Sequence, residues 1–303
     1  MLADCGAAAA LVALVSGDSA EIGPNAFLKM AHRFAGNADL RGVLLERDDL
    51  PMVVRQILLS ALSDDLKAFV TTRNWLPFAK AERLVAEAER SATVTLAAHC
   101  GSDECADLAD LLRKTSRLTP NLLLRAVLSG ETELFVATLA SLAKLPRSRV
   151  HSMLGEASTA SLAACYQRAG LPATLKTAFM AAIRAVMQAR RMAHHTVGML
   201  DLRLVRATLL ACAAERDGGD TGVVALLRRY EGEAVRELAR IMTSEIMASP
   251  APVIVQDISD LAGDVPSENT DSQNENSNLQ ECFVPPADQS SDFVVSPMDR
   301  LAA

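Results

Sequence analysis

The chain has 303 residues, half of them apolar, and a net charge of −7. This length fits one large or two modest domains. Because aromatic residues are few (eight Phe, two Tyr and one Trp), the composition favours close-packed helices over a β-sheet. The chain contains neither a glycine-rich phosphate loop nor a G-x-S-x-G elbow, which excludes the common nucleotide-binding and hydrolase signatures.

The charge is distributed unevenly along the chain. Residues 251–303 hold ten acidic residues and one basic residue, a net charge of −9, whereas the first 250 hold 27 acidic and 29 basic residues, a net charge of +2. The body therefore lacks the positive field that recruits nucleic acid, and no nucleic-acid partner is predicted. Polar and acidic residues and proline dominate residues 250–303, which predicts a disordered acidic tail.

The N-terminal and cysteine patterns favour a cytoplasmic location. No basic residue precedes the apolar run at residues 7–15, so a signal peptide is not expected. No apolar run approaches the length of about 18 residues that a membrane span needs. Six scattered cysteines do not make a disulfide framework in a chain this long, and two of them, Cys165 and Cys212, fall among apolar helix residues.

Capping and breaking residues divide the first part of the chain into short helices. A first helix is expected over about residues 3–15, and Pro24, Asn37 and Pro51 each begin another. Ser63 with the following Asp64-Asp65 predicts one more helix start. That helix would hold the apolar residues Leu66, Phe69 and Val70.

A loop with Trp75 and Pro77 then precedes helices over about residues 79–98 and 104–113. Breaks recur every 12–20 residues or so, a spacing that resembles degenerate HEAT-like helix pairs.

Residues 118–172 hold four short amphipathic helices with almost nothing between them. Thr119 is an N-cap candidate and Pro120 occupies the first helical position. Breaks at residues 129–130 and at Pro146 separate the next helices, and Gly170 with Pro172 closes the fourth. Helices this short are marginal alone, so each must pack on its neighbours, as in an array of helix pairs.

This dense stretch resembles the alphaproteobacterial proteins grouped as domain of unknown function 2336. The motifs that carry the resemblance occur in order and at matching separations: Leu118-Thr119-Pro120, Leu122-Leu123-Leu124-Arg125-Ala126, Ser129-Gly130, Phe135, Ala137, Leu139 and Tyr166-Gln167-Arg168-Ala169-Gly170-Leu171-Pro172. The resemblance implies a bacterial cytoplasmic protein with HEAT-like helical packing. It implies no activity, because the family has no settled function.

Longer helices follow residue 172, with the last predicted from Thr221 to about Met247. The fold class is therefore predicted to be all-α, an irregular HEAT-like, α-solenoid-like array with a disordered acidic C-terminal tail. The expected domains are an N-terminal helical array (1–116), a C-terminal helical region (117–249) and the tail (250–303).

Few residue groups have the spacing that metal binding or catalysis needs. His99, Cys100 and Cys105 lie within seven residues, but no second ligand pair accompanies them, and two unrelated cysteines at a helix end explain them better. Carboxylate pairs such as Asp64-Asp65 are interpreted as helix caps. No catalytic residue, cofactor or metal ligand is assigned.

One cluster of basic residues is a candidate binding site. These residues surround a helix end and form a possible cationic patch: Arg184, Arg190, Arg191, His194, His195, Arg203 and Arg206. The two histidines would strengthen such a patch below about pH 6.5. The alternative, which we favour, is a solvated helix end whose cations complement the helix dipole.

Two functions remain open from the sequence. The leading hypothesis is a scaffold for protein–protein interaction, with an unknown protein partner and a tail that either recruits that partner or covers the helical surface, for example at residues 184–206. The rival is a ligand-sensing module or an enzyme with an unrecognised helical site around His99, His151 or His194. His151 neighbours apolar residues and is expected to be packed.

Overall fold

The computed structural model describes residues 2–17, 20–155, 159–192, 198–214 and 221–248. Backbone contacts divide the chain into two units, residues 1–249 and 250–303, and all described residues belong to the first. The predicted tail therefore lies outside the described residues, and the predicted division at residue 116 stays a prediction.

The described part of the chain is all-α, as predicted, and contains no strand. A 3-10 turn at Ala173–Leu175 precedes the twelfth helix. In chain order the helices are α1 (Leu2–Cys5), α2 (Ala8–Val15), α3 (Pro24–Phe34), α4 (Ala38–Leu45), α5 (Met52–Thr72), α6 (Phe78–Ala97), α7 (Ser102–Lys114), α8 (Pro120–Leu128), α9 (Glu133–Ala143), α10 (Arg147–Gly155), α11 (Thr159–Arg168), α12 (Lys176–Arg191), α13 (Leu202–Ala214) and α14 (Thr221–Ala248).

The predicted capping residues begin and end helices by the expected contacts. Asn37 accepts a hydrogen bond from the backbone N–H of Leu40 at 2.9 Å and so caps α4. Thr119 accepts one from Leu122 at 3.2 Å, with Pro120 at the first position of α8. Gly170 has φ +70° after α11, a left-handed conformation that favours glycine.

Two predicted helix boundaries are wrong. The first helix is two helices, α1 and α2, separated at Gly6-Ala7. The predicted start at Ser63 does not exist, because α5 continues through it to Thr72. Ser63 is buried inside the helix, and the carboxylates after it pair with distant arginines instead of capping.

Three clusters of buried apolar side chains stabilise the helical unit. The first joins α1–α5, the second joins α6–α9, and the largest extends from α8 to α14. Alternate helices pack together repeatedly, including α2 with α4, α5 with α7 and α7 with α9. This is the neighbour pattern that a helical array requires, but the HEAT-like, solenoid-like arrangement stays a prediction.

Residues 118–172, which carry the family resemblance, contribute to the largest cluster of buried apolar side chains. Phe135, Tyr166 and Phe179 are fully buried, and the centroid of the Phe179 ring lies 5.5 Å from that of Phe135 and 5.3 Å from that of Tyr166. The Tyr166 hydroxyl donates to the carbonyl oxygen of Pro172 at 2.8 Å, which ties α11 to the turn that follows it.

Candidate functional site

The α5–α6 hairpin presents the exposed surface that we consider the candidate functional site. Helix α5 ends at Thr72, and Asn74 takes a left-handed φ of 56° in the short connection. Pro77 then precedes the first residue of α6. Between the helices, the Ser60 hydroxyl donates to the Glu89 carboxylate at 3.0 Å, and Lys67 pairs with Glu82 at 2.6 Å.

One side of α5 and the tip of the hairpin carry exposed apolar side chains. Leu62, Leu66 and Phe69 follow the i, i+4, i+7 spacing of one helix face and are 42%, 45% and 47% exposed. Trp75 contacts Phe69 at the tip and is 65% exposed, and Phe78, at the start of α6, is 61% exposed and lies against Lys67. We call these five residues the apolar face.

Aromatic and cationic contacts hold the tip of the apolar face in place. The Trp75 ring meets Phe69 edge-on, with centroids 5.3 Å apart and planes at 89°. The Arg73 guanidinium lies 5.5 Å from the centre of the Phe69 ring, and the Lys67 amine lies 5.5 Å from that of Phe78. Both cations can therefore make cation–π contacts.

Opposite charges lie at the two ends of the apolar face. Asp65 is next to Leu66 on α5; its carboxylate is half exposed and accepts one hydrogen bond, at 2.8 Å, from Arg41. Arg73 stands at the other end, one turn beyond Phe69, and is exposed. The apolar face is therefore flanked by a negative charge near Leu66 and by a positive charge near Trp75.

Ion pairs anchor the base of the hairpin to the helices behind it. Arg117, just after α7, donates to Glu89 of α6 at 2.5 Å and to Asp64 of α5 at 2.6 Å. One arginine therefore joins both helices of the hairpin to the connection before α8.

A buried arginine links α6 to α8 and α14. Arg125, only 3% exposed, pairs with Glu87 at 2.6 Å and with Glu233, and donates to the Ser91 hydroxyl at 2.9 Å. Its guanidinium lies 5.5 Å from the centre of the Tyr230 ring. Burial opposes the positive charge, but Glu233 and Glu87 outweigh it and raise the pKa of Arg125.

The structure places the residues of the predicted cationic patch in several different environments. Arg190 donates to the carbonyl oxygen of Gly130 at 3.3 Å and to the Thr132 hydroxyl at 2.8 Å. Arg206 pairs with Glu231 at 2.8 Å.

The other described arginines of the patch contact their own helix or face solvent. Arg184 donates to Met180 on its own helix, and Arg191 and Arg203 are exposed. The histidines at 194 and 195 lie outside the described residues, so the patch as a site stays a prediction.

Two histidines of the rival hypothesis, His99 and His151, have polar neighbours, and the third, at residue 194, lies outside the described residues. His151 is exposed and its Nε2 lies 3.3 Å from Glu133, so the expectation that it is packed is wrong. His99 contacts the carbonyl oxygen of Thr95 at 2.8 Å. Within the described ranges, no three His, Cys, Asp or Glu residues are grouped to hold a metal ion.

The Cys100 and Cys105 thiols lie together between α6 and α7. The hydrogen bond between them lowers the pKa of Cys100 and, together with burial, raises that of Cys105. Cys100 is partly exposed, whereas Cys105 is fully buried and donates to the carbonyl oxygen of Ala97 at 3.7 Å.

A polar concavity of about 500 Å³ forms an open groove between α6 and α14. Ser91 and Thr95 line one wall, and Glu233, Glu237 and Arg240 line the other. Glu233 is engaged by Arg125, and Glu237 accepts from Arg240 at 3.2 Å. The groove is therefore occupied by internal ion pairs along its α14 wall.

Sequence reasoning missed the apolar face because it divided α5 at Ser63. With Leu62 and Phe69 assigned to different helices, their shared side could not be recognised. The signal in the sequence was that apolar residues occupy two sides of α5, so that the helix has a second apolar side besides the one that faces the core.

These features define an all-α protein with ion-pair networks between its helices and an exposed apolar face on the α5–α6 hairpin. The chain belongs to the family described as an uncharacterised protein conserved in bacteria (DUF2336), whose sequence profile matches residues 1–218. No curated protein and no solved structure matches the chain. Among the described helices, none is long and apolar enough to cross a membrane.

Proposed function

We propose that the protein is a non-enzymatic helical scaffold that binds a protein partner through the apolar face. The observation that carries the proposal is the exposed apolar side of α5: Leu62, Leu66 and Phe69 share one helix face, and Phe69 contacts the exposed Trp75, on a hairpin that ion pairs fix to the body. Isolated exposed apolar residues are ordinary, but a contiguous patch of this kind is typical of interaction sites.

The composition of the face supports a role in protein binding. Aromatic residues and arginine are enriched in protein interfaces, and tryptophan and arginine are frequent hot spots; Phe69 contacts both Trp75 and Arg73 at the tip. The mutual contact of Trp75 and Phe69 restricts both rings before binding, which reduces the entropy that binding would cost.

The proposal places the scaffold in the reducing cytoplasm of a bacterium. Cys105, Cys165 and Cys212 are buried as thiols in the helical core, where cysteine behaves as a small apolar residue. A reducing compartment keeps such thiols unoxidised.

The experiment compares two triple variants of the full chain in affinity capture from lysate of the source cells. The test variant is Leu62→Ser, Leu66→Ser and Phe69→Ser. The control is Val235→Ser, Leu238→Ser and Met242→Ser on α14, three apolar residues that are also 42–54% exposed. Far-ultraviolet circular dichroism and thermal melting establish that both variants fold.

The scaffold function predicts that partners bound by the wild type, including further copies of the chain, are lost with the α5 variant and kept with the α14 variant. If both variants retain the same partners as the wild type, the apolar face is not the docking surface and the proposal fails.

A further inference from the structure

We propose that the apolar face binds a second copy of this chain, so that two α5 helices pack antiparallel about a two-fold axis near Phe69. This inference rests on the proposed function and names the partner of the same surface. Two-fold dimers are the commonest assemblies of soluble proteins, and their interfaces must be self-complementary.

The charges at the two ends of the face supply that complementarity. Asp65 stands four residues before Phe69 and Arg73 four residues after it. When two copies pack antiparallel with Phe69 at the centre, Asp65 of each copy lies opposite the partner subunit's Arg73. A parallel arrangement would instead place like charges together, which costs energy at an interface.

The same register brings apolar residues of the two copies together at the centre and at the ends of the contact. Leu62 stands seven residues before Phe69 on α5, and Trp75 stands at the tip beyond Phe69. The antiparallel pairing therefore brings Leu62 toward the tip of the other copy and places the two Phe69 rings together. Leu66 lies opposite Thr72, the last residue of α5.

Both charged groups retain hydrogen-bonding capacity for a partner. The Asp65 carboxylate accepts from Arg41 through one oxygen, Oδ2, and the residue remains half exposed. The described contact of the Arg73 guanidinium is with the Phe69 ring, which leaves its N–H groups directed to solvent or to a partner.

The face is short, so the dimer should be weak. A standard interface buries about 800 Å² on each partner, more than one helix side and a loop provide. Self-association should therefore depend on concentration, and Trp75, the only tryptophan of the chain, reports it directly because it moves from solvent into the interface.

Charge exchange tests the register. Arg73→Glu and Asp65→Arg each place like charges opposite each other in a homodimer, whereas an equimolar mixture of the two restores both attractive pairs. Sedimentation of the full chain should show wild-type dimers, with the dissociation constant raised about tenfold or more in each single variant and recovered in the mixture.

Asp65→Arg also removes the partner of Arg41, so the folding of this variant is checked by thermal melting. A second variant tests the position of the two-fold axis independently. Phe69→Cys should form a disulfide-linked dimer under oxidised glutathione, and peptide mass should show that the two introduced thiols are joined to each other. Leu238→Cys on α14 is the matched exposed control and should not crosslink.

A wild-type chain that remains monomeric, with Trp75 emission independent of concentration, overturns the dimer. So does a shift in Trp75 emission that appears only with anionic lipid vesicles, since the face would then bind a membrane surface. In either case the proposed scaffold function survives if captured partners still depend on Leu62, Leu66 and Phe69.

Discussion

Trp75 stands edge-on to Phe69 at 5.3 Å, although both rings are largely exposed. Removing the Phe69 ring by Phe69→Ala should free the indole, at a cost of about 0.5–1.5 kcal/mol from the lost ring pair. Measured in dilute solution, iodide should quench Trp75 fluorescence more strongly in this variant than in the wild type.

Phe78→Ala is the control, since Phe78 is also an exposed phenylalanine of the hairpin (61%, against 47% for Phe69) but contacts Lys67. Equal quenching in Phe69→Ala and the wild type would mean that the two rings do not meet in solution.

The buried charge of Arg125 makes α8 sensitive to substitution. Arg125→Met removes the buried cation of Glu233 and one of the two cations of Glu87, which keeps its 2.7 Å pair with Arg90, and should lower the free energy of unfolding by about 1–3 kcal/mol, the cost of charged groups that lose their hydrogen-bond partner. Urea unfolding followed by circular dichroism measures the change.

The control for this substitution is Arg240→Met, an exposed arginine of α14 that pairs with Glu237. Its effect should stay within about 0.5 kcal/mol. If Arg125→Met is no more destabilising than Arg240→Met, the buried network does not stabilise the fold.

Both tyrosines of the chain are buried, so the free energy of unfolding should fall at alkaline pH. Burial raises the pKa of Tyr166 to about 12, and burial and Glu87 raise that of Tyr230 further. Because an unfolded tyrosine ionises near pH 10, the folded state holds the proton more tightly. The resulting stability is fully present below about pH 10 and is lost as the pH rises toward 12.

Tyr166→Phe isolates one of these groups. It should cost about 0.5–1.5 kcal/mol at neutral pH, from the lost hydrogen bond to Pro172. Above pH 10, the decline of its unfolding free energy should be less steep than in the wild type, by up to about 1.4 kcal/mol per pH unit. Parallel declines would show that Tyr166 ionises normally in the folded chain.

The cysteines should react in an order set by their exposure. In the native chain, iodoacetamide should modify Cys5 and Cys100 well before Cys105, Cys165 and Cys212, which are buried. Peptide mapping by mass spectrometry at several times gives each rate separately, and the chain in urea provides the unprotected rates.

The contrast between Cys100 and Cys105 is the informative one, because the two thiols are hydrogen-bonded neighbours. Cys105 modified as fast as Cys100 would indicate that the junction of α6 and α7 opens in the native state.

Local signals in the sequence predicted the helices and most of their ends, because a cap such as Asn37 or Thr119 acts within three residues of itself. The failures involve contacts between distant residues. Asp64 and Asp65 have the sequence of a helix cap, but their partners Arg117 and Arg41 lie 53 and 24 residues away. Pairing with those arginines lets α5 continue through both carboxylates.

The same limit explains what the sequence could and could not predict about the site. The i, i+3 spacing of Glu233 and Arg236 predicts that they neutralise each other on one helix, whereas Glu233 binds Arg125, 108 residues earlier. Leu238 follows the apolar spacing of Leu227 and Ala234, which are buried, yet it is 46% exposed. A periodic pattern shows which sides of a helix are apolar, but not which of those sides a neighbour covers.

The partnership of Arg125 with Glu233 crosses the end of the family match, which stops at residue 218. The shared domain in this chain therefore depends on a helix that the family's common sequence does not include. Glu87, the other acid that pairs with Arg125, lies inside the matched residues. The structural domain of this chain extends through α14, and expression boundaries chosen at residue 218 would separate a buried cation from one of its two counterions.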